Sequence, residues 1–326
     1  MLGTDKYLEG LANGDRRVLA RAITLVESSN LQHQAQAHDL LDQLPTAPSS
    51  IRLGLSGTPG VGKSTFIECL GLHLVEQGHK VAVLAVDPSS QRTGGSILGD
   101  KTRMERLARH PMAYIRPSPS GGFLGGVARH TRDAIALVEA AGFDVVLVET
   151  VGVGQSETAV AELSDLFVLL LSPGGGDELQ GIKRGIMELA DLVAVNKADG
   201  DLLPAAQRAV ADHASALRLM RPRFQAWQPQ VMKLSALTGD GVPELWSLVE
   251  DAIGKLRDSG EFTRQRQTQA VDAFTNQLQA AVWQRFARDL EIQNQLMQLK
   301  HDIHRGERSP SSAVGDMLAW LDMKTA

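Results

Sequence analysis

The rhythm of hydrophobic positions changes twice along the chain. From Asp15 onward Val18, Leu19, Ala22, Ile23 and Val26 recur at three-to-four spacing, and Ala37, Leu40, Leu41 and Leu44 repeat that period until Pro45 stops it. Residues 1–50 therefore predict a helical preface. After the polar break Pro48-Ser49-Ser50 the chain turns to short apolar runs separated by helical stretches, the alternation of a parallel sheet whose crossovers are helices. The runs are Arg52–Ser56, Lys80–Val86, Ala113–Arg116, Asp144–Val148, Leu166–Leu171, Leu192–Val195 and Val231–Leu234. Most are rich in Val, Leu and Ile with little polar alternation, so helices are expected over both faces. Between the first two, Phe66, Ile67, Leu70 and Leu74 form an amphipathic helix, and Gly78 stands where a left-handed C-terminal cap is wanted.

Beyond Gly260 the helical period returns. Residues 261–305 hold no Gly or Pro, and Val271, Phe274, Leu278, Val282, Phe286 and Leu290 predict a long helix or a helical hairpin, followed by a last helix from Ser312 to Met323. The tail either packs back on its own core or serves as a dimer arm. The expected architecture is α/β, a mostly parallel, doubly wound sheet over residues 51–258. A helical extension over 1–50 precedes it and a helical region over 259–326 follows.

Composition narrows the function. At 326 residues the chain has room for about two domains of roughly 150 residues. Its 43% hydrophobic and 22% charged residues are globular values, which exclude disorder or a fibre as whole-chain descriptions. The 33 basic and 38 acidic residues give a net charge of −5, which argues against a protein built mainly to coat nucleic acid or anionic lipid. Asp5, Glu9 and Asp15 among Lys6, Arg16 and Arg17 leave no apolar run for a signal peptide. The apolar stretch Leu166–Leu171 stops at Ser172-Pro173-Gly174, far short of the ~20 residues that span a bilayer. One cysteine, Cys69, excludes an internal disulfide and reads as a buried free thiol. The expectation is a soluble cytoplasmic protein with no nucleic-acid or membrane partner.

Candidate chemistry begins directly after the first run, where Gly57-Thr58-Pro59-Gly60-Val61-Gly62-Lys63-Ser64 matches the phosphate-binding loop in full. Its glycines allow a sharp turn that points backbone N–H groups at phosphate oxygens, the following helix adds its positive end, and Lys63 supplies a point charge at the terminal phosphates. Ser64 is placed to ligate Mg2+. Thr65 joins the nucleotide-binding set.

Asn196-Lys197-Ala198-Asp199 follows another run and matches the NKxD guanine motif of GTPases; Ser235-Ala236-Leu237 follows the last run and resembles their base-contacting SAL loop. The Asp199 carboxylate can accept from both N1–H and the exocyclic amine of guanine, a donor pair that adenine lacks.

Glu149-Thr150-Val151-Gly152 stands where GTPases usually carry DxxG. Its carboxylate can serve Mg2+ through a bound water, and Gly152 can bring a backbone amide to the γ-phosphate. Val153 occupies the place where many GTPases orient water with Gln, and Gln155 comes two residues later, so fast intrinsic hydrolysis is not expected.

Asp87, in Asp87-Pro88-Ser89-Ser90, reads as a metal or water ligand or as a turn carboxylate; Asp100, after the Gly-rich Thr93–Gly99, reads as a loop or a switch residue. Ser172–Lys183, with Gly174-Gly175-Gly176 ahead of Gln180 and Lys183, has the freedom and polarity of a nucleotide-sensing switch. Ser118–Gly126 reads as a flexible connection, and His301 and His304 lack a third metal ligand. The phosphate loop, Asp87, Glu149, the triple-Gly loop, Asn196–Asp199 and Ser235 all follow strand ends. In an open parallel sheet that rim is the ligand crevice.

Together these residues resemble the MeaB/ArgK/MMAA-like P-loop GTPases of the G3E group, which accompany adenosylcobalamin-dependent acyl-CoA mutases. The resemblance is carried by Gly57–Ser64, DPSS at Asp87, ETVGVGQSE from Glu149 to Glu157, NKAD at Asn196 and SAL at Ser235, and runs from Gly14-Asp15-Arg16-Arg17 into the tail. ETVGVGQ discriminates most, because generic GTPases lack it. The resemblance implies a homodimer with a central P-loop GTPase sheet and C-terminal dimerisation helices, with Mg2+ and GTP/GDP as cofactors. It implies that Ser64, Asp87, Asp100 and Glu149 form or support the Mg2+ site, that Lys63, Asp100 and Glu149 carry the catalysis, and that Ser172–Lys183, with Gln180 and Lys183, is a switch contacting the mutase. It also implies a chaperone that uses GTP to gate delivery of intact cobalamin cofactor and to help eject damaged cofactor. Methylmalonyl, isobutyryl and 2-hydroxyisobutyryl mutases all fit.

Three other readings stay open. A protein kinase or ATPase of an amino-acid transport system would use ATP and transfer phosphate to a protein acceptor. A nickel or cobalt metallochaperone GTPase should show Cys/His clusters, against which the single cysteine argues. A nucleotide-binding module without turnover is compatible with Val153.

Overall fold

The computed structural model describes residues 2–45, 50–86, 104–116, 124–150, 156–173 and 184–325. Seven strands form one sheet: β1 (Ile51–Gly57), β2 (Val81–Val86), β3 (Ala113–Arg116), β4 (Val145–Thr150), β5 (Leu166–Leu171), β6 (Leu192–Val195) and β7 (Gln230–Lys233), in the order β3-β2-β4-β1-β5-β6-β7. Every neighbouring pair is parallel, so the sheet expected to be mostly parallel is wholly so. β1 runs on to Gly57 and β4 to Thr150, past the ends read from the sequence, because Gly57 still pairs with Leu170 and Thr150 with Val86.

Alternate residues of each strand point to opposite faces. Leu53, Leu55, Leu147, Val168 and Leu170 meet the side chains of α4 (Lys63–Glu76) and the helix Val242–Asp258, including Phe66, Leu70, Leu245 and Trp246. Val146, Val148, Phe167 and Leu169 meet the N-terminal helices and the helices Leu124–Ala140 and Ser156–Leu163. Each fully buried Leu or Phe contributes about 1.5–3 kcal/mol, so sheet residues covered on both sides dominate the stability of this unit. β7 is the exception: it pairs only with β6, and its Gln230 and Lys233 are exposed.

The N-terminal extension comprises α1 (Thr4–Ala12), α2 (Arg16–Val26) and α3 (Leu31–Asp42). Asp15 caps α2, its carboxylate accepting from the N–H groups of Arg17 (2.8 Å) and Val18 (3.2 Å). Of the connection predicted over Ser118–Gly126, the last three residues belong to the helix that begins at Leu124, while residues 118–123 lie outside the described ones. Cys69 is half-buried rather than buried, since α4 carries it beside the core and not into it, and desolvation raises its thiol pKa.

At the N-terminal ends of the strands, opposite the rim predicted to bind ligand, three acids are held by arginines. Arg52 and Arg266 reach Glu139 and Asp165, each with a closest approach of 2.7 Å, and Arg223 reaches Asp191 at 2.7 Å. Asp165 also accepts from the N–H of Arg52, and Asp191 from that of Phe167, so these acids fix where β1 and β5 begin. Burial pushes the Asp191 carboxyl up to about 6, with Arg223 opposing the shift.

The chain divides into two compact units, residues 1–270 and 271–326. The second contains the end of the helix Glu261–Arg288 and the helices Leu290–His304 and Pro310–Thr325. Of the long helix or hairpin predicted over 261–305, the structure shows two helices. The break is at Asp289, whose carboxylate caps the second by accepting from the N–H groups of Glu291 (2.9 Å) and Ile292 (3.2 Å). Val282, Trp283, Phe286, Leu296, Ile303 and Leu321 help to line an apolar groove of about 700 Å3 in this unit.

Candidate nucleotide-binding site

The site grows from the C-terminal end of β1, where Gly57 ends the strand and Lys63 begins α4. The turn between them needs glycine at Gly62, whose φ is 91°. A Cβ there would stand 2.8 Å from Asn196 Nδ2, so a side chain would also push that amide aside. The first N–H groups of α4 and its positive end face the loop, the arrangement that receives phosphate. Thr58 is half-buried and its Oγ1 is buried without a hydrogen-bond partner; Pro59, Gly60 and Thr65 are exposed and Ser64 is half-buried.

The guanine motif reaches back onto this loop across 135 residues of sequence: Asn196 Nδ2 donates to Val61 O at 2.8 Å. Lys197, at a φ of 59°, donates from Nζ to Gly60 O at 2.6 Å. Asn196 also accepts from the Ala236 N–H at 2.9 Å, tying in the SAL loop. The Ser235 hydroxyl donates to Asp199 Oδ2 and accepts from the Thr238 N–H at 3.2 Å. This orients the Asp199 carboxylate and leaves it acceptor capacity for two more donors. Leu237 stands 81% exposed, an apolar surface on the same loop.

On the other side of the phosphate loop, Glu149 is the penultimate residue of β4, beside Leu55 of β1, and is 3% exposed. Lys63 Nζ donates to Thr150 Oγ1 at 3.1 Å, and Ser56 Oγ lies 3.1 Å from the same atom. Ser64 and Glu149 offer a hydroxyl and a carboxylate, hard oxygen donors of the kind Mg2+ takes. Asp87, Asp100, Gln180 and Lys183 lie outside the described residues, as does Val151–Gln155. Among the described residues no group of three or more His, Cys, Asp or Glu could hold a metal ion.

The structure thus brings Gly60, Val61 and Gly62 together with Asn196 and Lys197, Asn196 with Ala236, and Asp199 with Ser235. Sequence reasoning passed over Ser56 and Thr150; the available signal was a polar residue at the end of an otherwise apolar strand.

The model of the family described as methylmalonyl-CoA mutase-associated GTPase MeaB matches residues 19–291. The chain belongs to the MeaB family. A probable GTPase of Mycobacterium tuberculosis is 52% identical over 319 residues, covering 96% of this chain and 95% of that protein. A mouse protein named methylmalonic aciduria type A homolog, mitochondrial, is 48% identical over 325 residues, 96% of this chain and 78% of its own length. A crystal structure of a LAO/AO transport system kinase superposes with a TM-score of 0.80 at 38% identity, over 98% of this chain and 97% of that one. The resemblance to MeaB/ArgK/MMAA-like GTPases and the P-loop GTPase fold both hold. As a MeaB-family member the protein is a GTPase that binds guanine nucleotide.

Proposed function

We propose that this MeaB-family GTPase is a Mg2+-dependent switch that gates adenosylcobalamin loading, protection and reactivation of an acyl-CoA mutase of the methylmalonyl-CoA type. The observation that carries the nucleotide half is the direct clamp of the guanine motif on the phosphate loop, through Asn196 to Val61 and Lys197 to Gly60. Two loops so joined suit one nucleotide, base at Asp199 and phosphates at Lys63. The mutase half rests on the family match over residues 19–291.

In this reading Gly57–Thr65 cradle the phosphates, and Asn196, Lys197, Asp199 and Ser235–Leu237 take the base. Ser64 and Glu149, with Asp87 and Asp100, hold Mg2+, which when bound neutralises charge on the phosphates. Lys63 stabilises the transferring phosphoryl group, Asp100 and Glu149 support the reaction, and Gln180 and Lys183 face the mutase. Residues 1–50, 51–258 and 259–326 act as helical extension, GTPase domain and dimerisation region of a homodimer. The exposed Phe274, Trp283 and Leu318 support that last role. Among the described residues no helix is long and apolar enough to cross a membrane, and cytoplasmic residence is part of the proposal.

The test is GTP hydrolysis by the full chain alone and with purified mutase. The proposal expects the mutase to accelerate turnover and GTP to control cofactor transfer; a mutase that changes neither contradicts it. The likeness to a crystal structure of a transport-system kinase favours a second reading. That reading expects γ-labelled nucleotide to leave label on a protein acceptor, where the switch reading expects free phosphate.

A further inference from the structure

We propose that Thr150 is a positioning residue for GTP hydrolysis: its hydroxyl fixes the direction of the Lys63 ammonium and is itself fixed by Ser56. The inference rests on the assignment of Lys63 to the terminal phosphates. Thr150 is the last residue of β4 and fully buried; Ser56 is 2% exposed on β1, opposite it because Leu55 pairs with Glu149. An ammonium can only donate, so the Thr150 oxygen accepts from Lys63 at 3.1 Å, while the contact with the Ser56 hydroxyl, also 3.1 Å, takes a second of the hydroxyl's three hydrogen-bonding positions.

The consequence lies in the freedom this removes. A lysine head group sits on a flexible four-carbon stem and rotates its three donors freely. With one donor held against a buried hydroxyl, the direction of the ammonium is restrained before the phosphates arrive. Charge that is already oriented stabilises a transition state without reorganising during the reaction. Valine would fill the same space as threonine and leave the ammonium charged, yet could neither accept from Lys63 nor answer Ser56. Thr150 also stands between Glu149 and Val151, so one residue joins the lysine to the strand that carries the proposed metal carboxylate.

The test uses the full chain and steady-state GTP hydrolysis. Thr150→Val is expected to lower kcat about tenfold, the effect of one hydrogen bond to a charged group, with KM within about threefold of the parent. Thr150→Ser restores the hydroxyl and is expected to return kcat to within about threefold. A parental kcat in Thr150→Val, a loss confined to KM, or a serine variant as impaired as the valine variant each overturns the inference. Should Thr150→Val fail to fold, Ser56→Ala decides instead: a drop in kcat of roughly threefold or more supports the inference and a parental kcat overturns it. Lys63→Ala separates the two levels of the argument. If it hydrolyses GTP like the parent, the assignment of Lys63 itself fails; if it is inactive while Thr150→Val and Ser56→Ala are parental, only the role of Thr150 fails.

Discussion

The two compact units treat the same apolar helix pattern in opposite ways. In residues 1–270, Phe66, Ile67, Leu70 and Leu74 recur at helical spacing on α4 and are all fully buried. In residues 271–326, Val271, Phe274, Leu278 and Val282 recur at the same spacing and stand 63%, 66%, 51% and 44% exposed. Apart from Leu202, Leu219 and Leu237, every exposed large hydrophobic among the described residues lies in the second unit. Periodicity therefore announces a helix but not what covers it. The first unit has a seven-stranded sheet to absorb its apolar faces; the second, three helical segments around a groove, does not. Apolar area left in water gains about 25 cal/mol per Å2 when covered, which supports pairing of two copies through this unit.

Four perturbations sharpen that contrast. Lys63→Ala is expected to lower kcat for GTP by roughly 10²–10³-fold, confining chemistry to the first unit. Next, Arg223→Ala strands a buried carboxylate at Asp191 and should cost about 3 kcal/mol in chemical denaturation of the first unit, read from β-sheet circular dichroism. Third, Trp283→Glu with Leu318→Glu places charge on the apolar face of the second unit. If the proposed homodimer forms through this face, sedimentation should report a dimer for the parent and a monomer for the variant, with GTP hydrolysis within about twofold of the parent because no nucleotide contact is touched. A variant that still dimerises would place the interface elsewhere.

The smallest effect is a slope. Asp191 in the folded chain holds its proton up to about pH 6, well above the ordinary carboxylate range. Between those pH values the folded state binds more protons than the unfolded one, so this group favours folding at low pH and that contribution fades as pH rises from about 4 to 6. Asp191→Asn should remove this component, seen as a difference between the urea midpoints of variant and parent that changes across pH 4–6 and stays constant above.

The strands were legible because residues covered on both faces leave unbroken apolar runs such as Leu166–Leu171. Their limits were less so. β7 begins at Gln230 rather than Val231, since an edge strand keeps its pairing with Leu192 while showing polar side chains to water. Within the predicted helical preface α1 had no pattern of its own, because Tyr7, Leu8 and Leu11 are scattered among charges, and the choice between long helix and hairpin stayed open because only the capping geometry at Asp289 ends the turn. Within the site, Gly57–Ser64 and Asn196–Asp199 could be read because phosphate and guanine chemistry demand those residue types. Neither the Lys197 contact with Gly60, made across 137 residues, nor the Ser56 contact with Thr150, made across 94, leaves a local pattern. Both depend on strand order, which sequence spacing does not reveal.

The most direct test of the clamp as a guanine site is nucleotide titration of Asp199→Asn. Guanine presents two donors to a carboxylate, whereas xanthine presents one donor and one acceptor, which an amide side chain matches. The parent is expected to bind GDP over XDP and the variant XDP over GDP, each preference exceeding roughly tenfold. An unchanged preference for GDP in the variant would show that the base lies elsewhere and contradict the site.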